Sequence, residues 1–134
     1  MILLGRKNKF LNTQGKSKFK KSFNHATDGI EYAINHERNL KIEIFMGILV
    51  SIAGFLFKIS ILEWLIIILV ISMVICLELV NTSIERTVDL VTKEYKDLAK
   101  NAKDVAAGAV LIMSMFSVVV GIIIFLPKII ALLK

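Results

Sequence analysis

Three apolar runs constrain this chain more than any other feature, because each approaches the roughly 20 residues a helix needs to cross about 30 Å of hydrocarbon. They cover residues 42–57, 59–80 and 105–126, the first being the shortest. With 56% hydrophobic residues and a mean hydropathy of +0.72, the 134-residue chain is too apolar for a soluble domain of its length. The sequence predicts an all-α integral membrane protein.

Charge supplies the topology. The net charge is +6, and the cations crowd residues 6–41 and 86–103. The link between the first two runs holds only Lys58, and the far end only Lys128 and Lys134. The positive-inside rule then predicts a cytoplasmic amino terminus and second connection, with the carboxyl terminus outside. Because these cations flank apolar runs and lack the motif context of a nucleic-acid reader, nucleic acid is not an expected partner. Met1-Ile2-Leu3-Leu4 is too short for a secretory leader, and Arg6 and Lys7 follow it, so no cleaved leader is expected. Cys76 is the single cysteine and lies inside an apolar run, which excludes an intrachain disulfide and favours packing.

Residues 1–17 show no apolar period and read as a mobile tail ahead of a single domain over residues 18–134. From Lys18, residues Phe19, Phe23, Ala26, Ile30, Ala33 and Ile34 recur at helical spacing, predicting an amphipathic helix over about residues 18–36 on the cytoplasmic membrane surface. Transmembrane helices are expected over about residues 38–58, 61–91 and 97–126. Trp64 is placed as an interfacial anchor at the outer end of the second, with Glu63 a solvated rim charge beside it. Small residues at 106–109 suit close helix approach, and Pro127 is expected to mark a helix end. His25 and His36 have no spacing that specifies a metal site, and Met73, Met113 and Met115 fit lipid contact or packing.

The chemistry concentrates on the second long helix. Glu78, Asn81, Glu85 and Asp89 fall on one stripe at about 100° per residue. At about 1.5 Å per residue, Glu78 lies about 10 Å deeper than Glu85, and Asp89 about 6 Å further toward the cytosol. Such a gradient could receive a lipid headgroup at its deep end and a charged, water-soluble co-substrate at its shallow end. Glu37 and Glu85 suit Mg²⁺, which takes one or two carboxylates and leaves other positions to water and phosphate. Lys103 and its basic neighbours favour polyphosphate, and a desolvated Glu78 suits a general base. Physics alone suggests phosphoryl transfer to a membrane alcohol as one class and leaves ion conduction and helix packing together the larger share. No soluble nucleotide-binding signature is present. In a purely structural alternative, Glu78, Glu85 and Asn81 are polar contacts between helices, Glu37 a helix cap, and Lys103 and Asp104 an interfacial ion pair.

The segment Glu78-Leu79-Val80-Asn81-Thr82-Ser83-Ile84-Glu85 with Val88-Asp89, followed by residues 98–110, closely resembles the prokaryotic diacylglycerol kinase family. The likeness runs from about residue 18 to 127, and Lys21-Ser22-Phe23, Glu37-Arg38-Asn39 and Ile61-Leu62-Glu63-Trp64 look like its Gram-positive branch of undecaprenol kinases. The resemblance implies a homotrimeric helical bundle using MgATP to phosphorylate a lipid alcohol, with active sites shared between subunits. It implies Glu78 as general base, Glu37 and Glu85 as the metal carboxylates, and Asn81 as an orienting amide. Asp89, Glu94, Tyr95, Lys103 and Asp104 fall where the family contacts nucleotide. Lys18 replaces an arginine common at a phosphate-contacting position, and so loses a bidentate fork. A trimer also agrees with cost, since three helices do not easily enclose Glu78, Asn81 and Glu85. The implied acceptor is undecaprenol, with diacylglycerol, giving phosphatidic acid, as the in-family alternative. From another class, a non-enzymatic helix assembly or cation pathway would use the same acidic stripe.

Overall fold

The protein is described by a computed structural model that covers the backbone of residues 2–133 and side chains from Lys18 onward. It contains α1 (Ile2–His36), α2 (Arg38–Leu56), α3 (Ile61–Val91) and α4 (Asp97–Leu132), and no strand among the described residues. Contacts divide it into an amino-terminal unit over residues 1–36 and a second unit from Glu37.

The first unit is α1. Its backbone is helical from Ile2, well ahead of the apolar period that begins near Lys18. The tail expected over residues 1–17 concerns side chains outside the described residues. Phe19, Phe23 and Ile30 stand exposed, as do Lys18, Lys20 and Lys21. At the helix end His36 stacks on Tyr32, with ring centroids 4.2 Å apart, and its Nδ1 lies 2.8 Å from the Tyr32 carbonyl.

In the second unit α3 packs against both α2 and α4. All three are long and apolar enough to cross a membrane. At 31 residues α3 extends about 46 Å, more than the hydrocarbon thickness, so its far end must emerge into a polar layer.

The reversal between α2 and α3 is made by two motifs. The Lys58 amide bonds to the Phe55 carbonyl at 3.2 Å and the Ile59 amide to the Gly54 carbonyl at 3.1 Å, the Schellman pattern that closes a helix. Glycine usually takes the left-handed position of this motif, but here Lys58 holds it at φ 50°. Ser60 then caps α3. Its hydroxyl accepts from the Glu63 amide while the Glu63 carboxylate accepts from the Ser60 amide at 2.6 Å. Trp64 packs directly against Gly54, where a Cβ would meet its ring atoms at 2.9 Å. It also lies tilted on Phe55, with centroids 4.8 Å apart. The adjoining core joins Ile59, Ile67 and Ile124.

Two sequence expectations are corrected at this end of the molecule. Pro127 does not end a helix, because α4 continues through it to Leu132. A proline removes one backbone bond, but the turn beyond is held by Lys128, which pairs with Glu63 at 2.9 Å. Glu63 is therefore no solvated rim charge: it serves a capping box and an interhelical ion pair at once.

Candidate active site

The α3 stripe enters the structure in the order of its predicted polarity. Glu78 and Asn81 are buried at 3% and 7% exposure, Glu85 is half-buried, and Asp89 is exposed. Helical periodicity puts these side chains on one face, and the ladder of depth follows from the rise of the helix.

Around the deep end, α2, α3 and α4 enclose a cleft of about 360 Å³ lined by Asn39, Glu43, Glu78, Asn81, Glu85 and Ser114 among others. Asn81 Nδ2 donates to Glu85 Oε1 at 3.1 Å, fixing the orientation of that carboxylate. Glu78 has an amide partner in Asn39 and two charged neighbours, Glu85 and Glu37. Glu37 stands at the start of α2, where its Oε1 accepts from Arg86 Nη2 at 2.6 Å. Asn81 Oδ1 and Glu43 Oε2 are buried without a hydrogen-bond partner. A buried polar atom left unpaired is costly, so these two oxygens mark where a ligand donor would be favoured.

An apolar cavity of about 350 Å³ adjoins this cleft and shares Ile42, Glu43 and Ser114 with it. Its other lining comes from residues such as Val50, Ile67, Val74 and Gly121. The polar cleft thus borders an oily one inside the membrane-spanning unit.

At the opposite end, the turn between α3 and α4 builds a third pocket of about 440 Å³ from Asp89, Thr92, Glu94, Tyr95, Lys103 and Asp104, with Lys93, Lys96 and Lys100 beside them. Thr92 Oγ1 accepts from the Glu94 amide at 3.1 Å, shaping the turn. Lys103 Nζ pairs with Asp89 Oδ1 at 2.5 Å across the two helices, and Lys100 with Asp104 at 2.5 Å along α4.

The structure therefore brings Glu78, Asn81 and Glu85 together in one cleft with Glu37 at its edge, and Asp89, Glu94, Tyr95, Lys103 and Asp104 together in another. Lys18 lies on α1 in the amino-terminal unit, with its side chain exposed. Three participants escaped the sequence reading: Glu43, Asn39 and Arg86. A glutamate just inside the first apolar run was the available signal for Glu43, since a charge there is rarely without use.

For a metal ion the donor set is sparse. Among the described residues no group of three or more His, Cys, Asp and Glu side chains is arranged to hold one. A Mg²⁺ ion that takes one or two carboxylates and its remaining ligands from phosphate and water needs no such protein-only cage, and Glu37 and Glu85 are donors of the type it takes.

Residues 24–125 match the family described as prokaryotic diacylglycerol kinase. The chain is 48% identical over 112 residues to an undecaprenol kinase of Bacillus subtilis, covering 84% of this chain and 91% of that protein. It is 40% identical over 113 residues to a diacylglycerol kinase of Synechocystis, covering 84% of this chain and 65% of that one. A diacylglycerol kinase of Helicobacter pylori is 33% identical over 104 residues, 77% of this chain and 80% of the relative.

Proposed function

Since the chain belongs to the prokaryotic diacylglycerol kinase family, we propose that it is an ATP-dependent lipid kinase that phosphorylates undecaprenol at the cytoplasmic face of the membrane. The observation that carries this reading is the buried Glu78, set between an apolar cavity and a cation-lined pocket on the same helix. Few other reactions need both an oily and a polyanion-binding compartment within one helix length.

In this reading the stretch of hydrocarbon chain next to the hydroxyl occupies the apolar cavity, the rest of the chain lies in the bilayer, and the terminal hydroxyl enters the polar cleft. Glu78 accepts the hydroxyl proton as the alcohol oxygen bonds to the γ-phosphorus. The bond from that phosphorus to the bridging oxygen breaks, and ADP leaves. Asn81 holds Glu85 in place, and Lys103 turns from Asp89 to the polyphosphate. Glu94, Tyr95 and Asp104 line the nucleotide side. Mg²⁺ bound by Glu37 and Glu85 would neutralise phosphate charge. Positioning and electrostatics supply most of the rate, as in phosphoryl transfer generally.

Because the acidic cleft opens at the side of a three-helix unit, neighbouring subunits of a homotrimer would complete its walls. The positive-inside distribution supports a cytoplasmic amino terminus and an outward carboxyl terminus in the cytoplasmic membrane. Diacylglycerol is the second acceptor to consider, because relatives at 40% and 33% identity carry that kinase's name.

The test supplies purified protein with radiolabelled ATP and either undecaprenol or diacylglycerol. Faster labelling of undecaprenol is the expected result. Faster labelling of diacylglycerol would reassign the acceptor, and labelling of neither would favour a non-enzymatic helix assembly or cation pathway.

A further inference from the structure

Arg86 has no part in the stripe that carries the chemistry, yet it makes the closest side-chain contact to that stripe's partner carboxylate. Its Nη2 donates to Glu37 Oε1 at 2.6 Å, with the Arg86 side chain half exposed and Glu37 only 19% exposed. Glu85, the other carboxylate suited to the metal, is its immediate neighbour in sequence. A cation is thus already seated on one of the two oxygen donors that a divalent ion would need.

We propose that Arg86 is a positioning residue that makes the site select a metal–nucleotide complex over free metal, by holding Glu37 until a polyphosphate arrives to receive its guanidinium. The inference rests on the kinase reading above. Glu37, Glu43, Glu78 and Glu85 lie in or beside one cleft, a concentration of carboxylates that would otherwise attract free divalent ions. A free ion taking Glu37 must weaken the Arg86 contact and brings no anion in exchange. A metal–triphosphate complex brings phosphate oxygens, which the planar guanidinium matches as well as it matches carboxylate. Half exposure gives the Arg86 side chain room to make that exchange, whereas an arginine serving only as a latch between α2 and α3 would gain nothing from it.

The experiment measures binding rather than turnover. Mn²⁺ retention by the purified full-length protein is followed by electron paramagnetic resonance, with and without a non-hydrolysable ATP analogue, for the wild type and for Arg86→Gln, Arg86→Lys and Glu85→Gln. Arg86→Gln should bind free Mn²⁺ roughly fivefold tighter and the Mn²⁺–analogue complex roughly fivefold weaker, the scale of one half-exposed ion pair. Arg86→Lys, which keeps the charge without the fork, should retain the wild-type response to free Mn²⁺ and lose part of the affinity for the complex. If Arg86→Gln leaves free Mn²⁺ affinity unchanged, or weakens both affinities equally, the proposal fails. Should Arg86→Gln not fold, Arg86→Lys binding the complex as the wild type does would overturn it alone. Glu85→Gln separates the two levels: Mn²⁺ retention equal to wild type there would sink the metal-carboxylate reading itself, while lost retention with a silent Arg86→Gln sinks only the selection role.

Discussion

Lys128 on α4 pairs with Glu63 on α3 at 2.9 Å, and the same Glu63 carboxylate accepts from the Ser60 amide at 2.6 Å. Glu63→Ala removes both contacts, and Lys128→Met only the first. The first change should cost more stability than the second, because it removes a helix cap as well as a partly exposed ion pair. Denaturant titration in mixed micelles orders the two; equal losses would show that the cap contributes nothing.

The left-handed Lys58 carries a stability cost that glycine would not. Lys58→Gly should stabilise the fold by about 1 kcal/mol, because the φ of 50° is unfavourable for a side-chain-bearing residue. Gly54→Ala should act in the opposite direction by about 1–3 kcal/mol, since the added Cβ would sit 2.9 Å from Trp64. Thermal unfolding followed by Trp64 fluorescence reads both.

Removing the carboxylate at Glu78 tests the general base without changing side-chain size. Glu78→Gln should lower kcat by roughly 10²–10⁴-fold while nucleotide binding persists. Retained kcat would reassign Glu78 to a structural role. Glu43→Gln offers a comparison, because Glu43 lines both the polar cleft and the apolar cavity and has an unpaired buried oxygen. Its effect should fall on KM for the lipid.

The two compartments predict a clean separation of constants. Gly121 lines the apolar cavity, and a Cβ there would meet nothing within 4 Å in the chain. Gly121→Leu should therefore raise KM for undecaprenol severalfold and leave KM for ATP unchanged. Lys103→Met should do the reverse, raising KM for ATP by about tenfold through loss of one charged contact to phosphate. Steady-state kinetics with each substrate varied in turn distinguishes them; parallel changes in both constants would argue against separate pockets.

Much of this architecture is legible in the sequence because membrane-spanning helices announce themselves by length and hydropathy alone. The order of burial along Glu78, Asn81, Glu85 and Asp89 is equally a matter of helical geometry. Contacts between helices are another matter. Nothing local indicates that Glu63 finds Lys128 across 65 positions, or that Arg86 finds Glu37 across 49. Pro127 misleads for the same reason, since its local rule gives way to a tertiary contact one residue later. Glu43 was visible as a charge at the border of an apolar run, but only packing reveals that its oxygen faces the same cleft as Glu78.

From Glu78 to Asp89 the chain is one unbroken helix, so these carboxylates are fixed by a rod about 16 Å long rather than by a fold that could adjust. Inserting a single residue between them would swing everything beyond it by about 100° and take Asp89 off the face it shares with Glu78. The same insertion within residues 92–96, where the backbone leaves the helix, keeps Glu78 and Asp89 in register and reshapes only the turn that lines the third pocket. In the proposed reaction the register of α3 is thus the gauge that keeps two reactants in line, one dissolved in oil and the other in water.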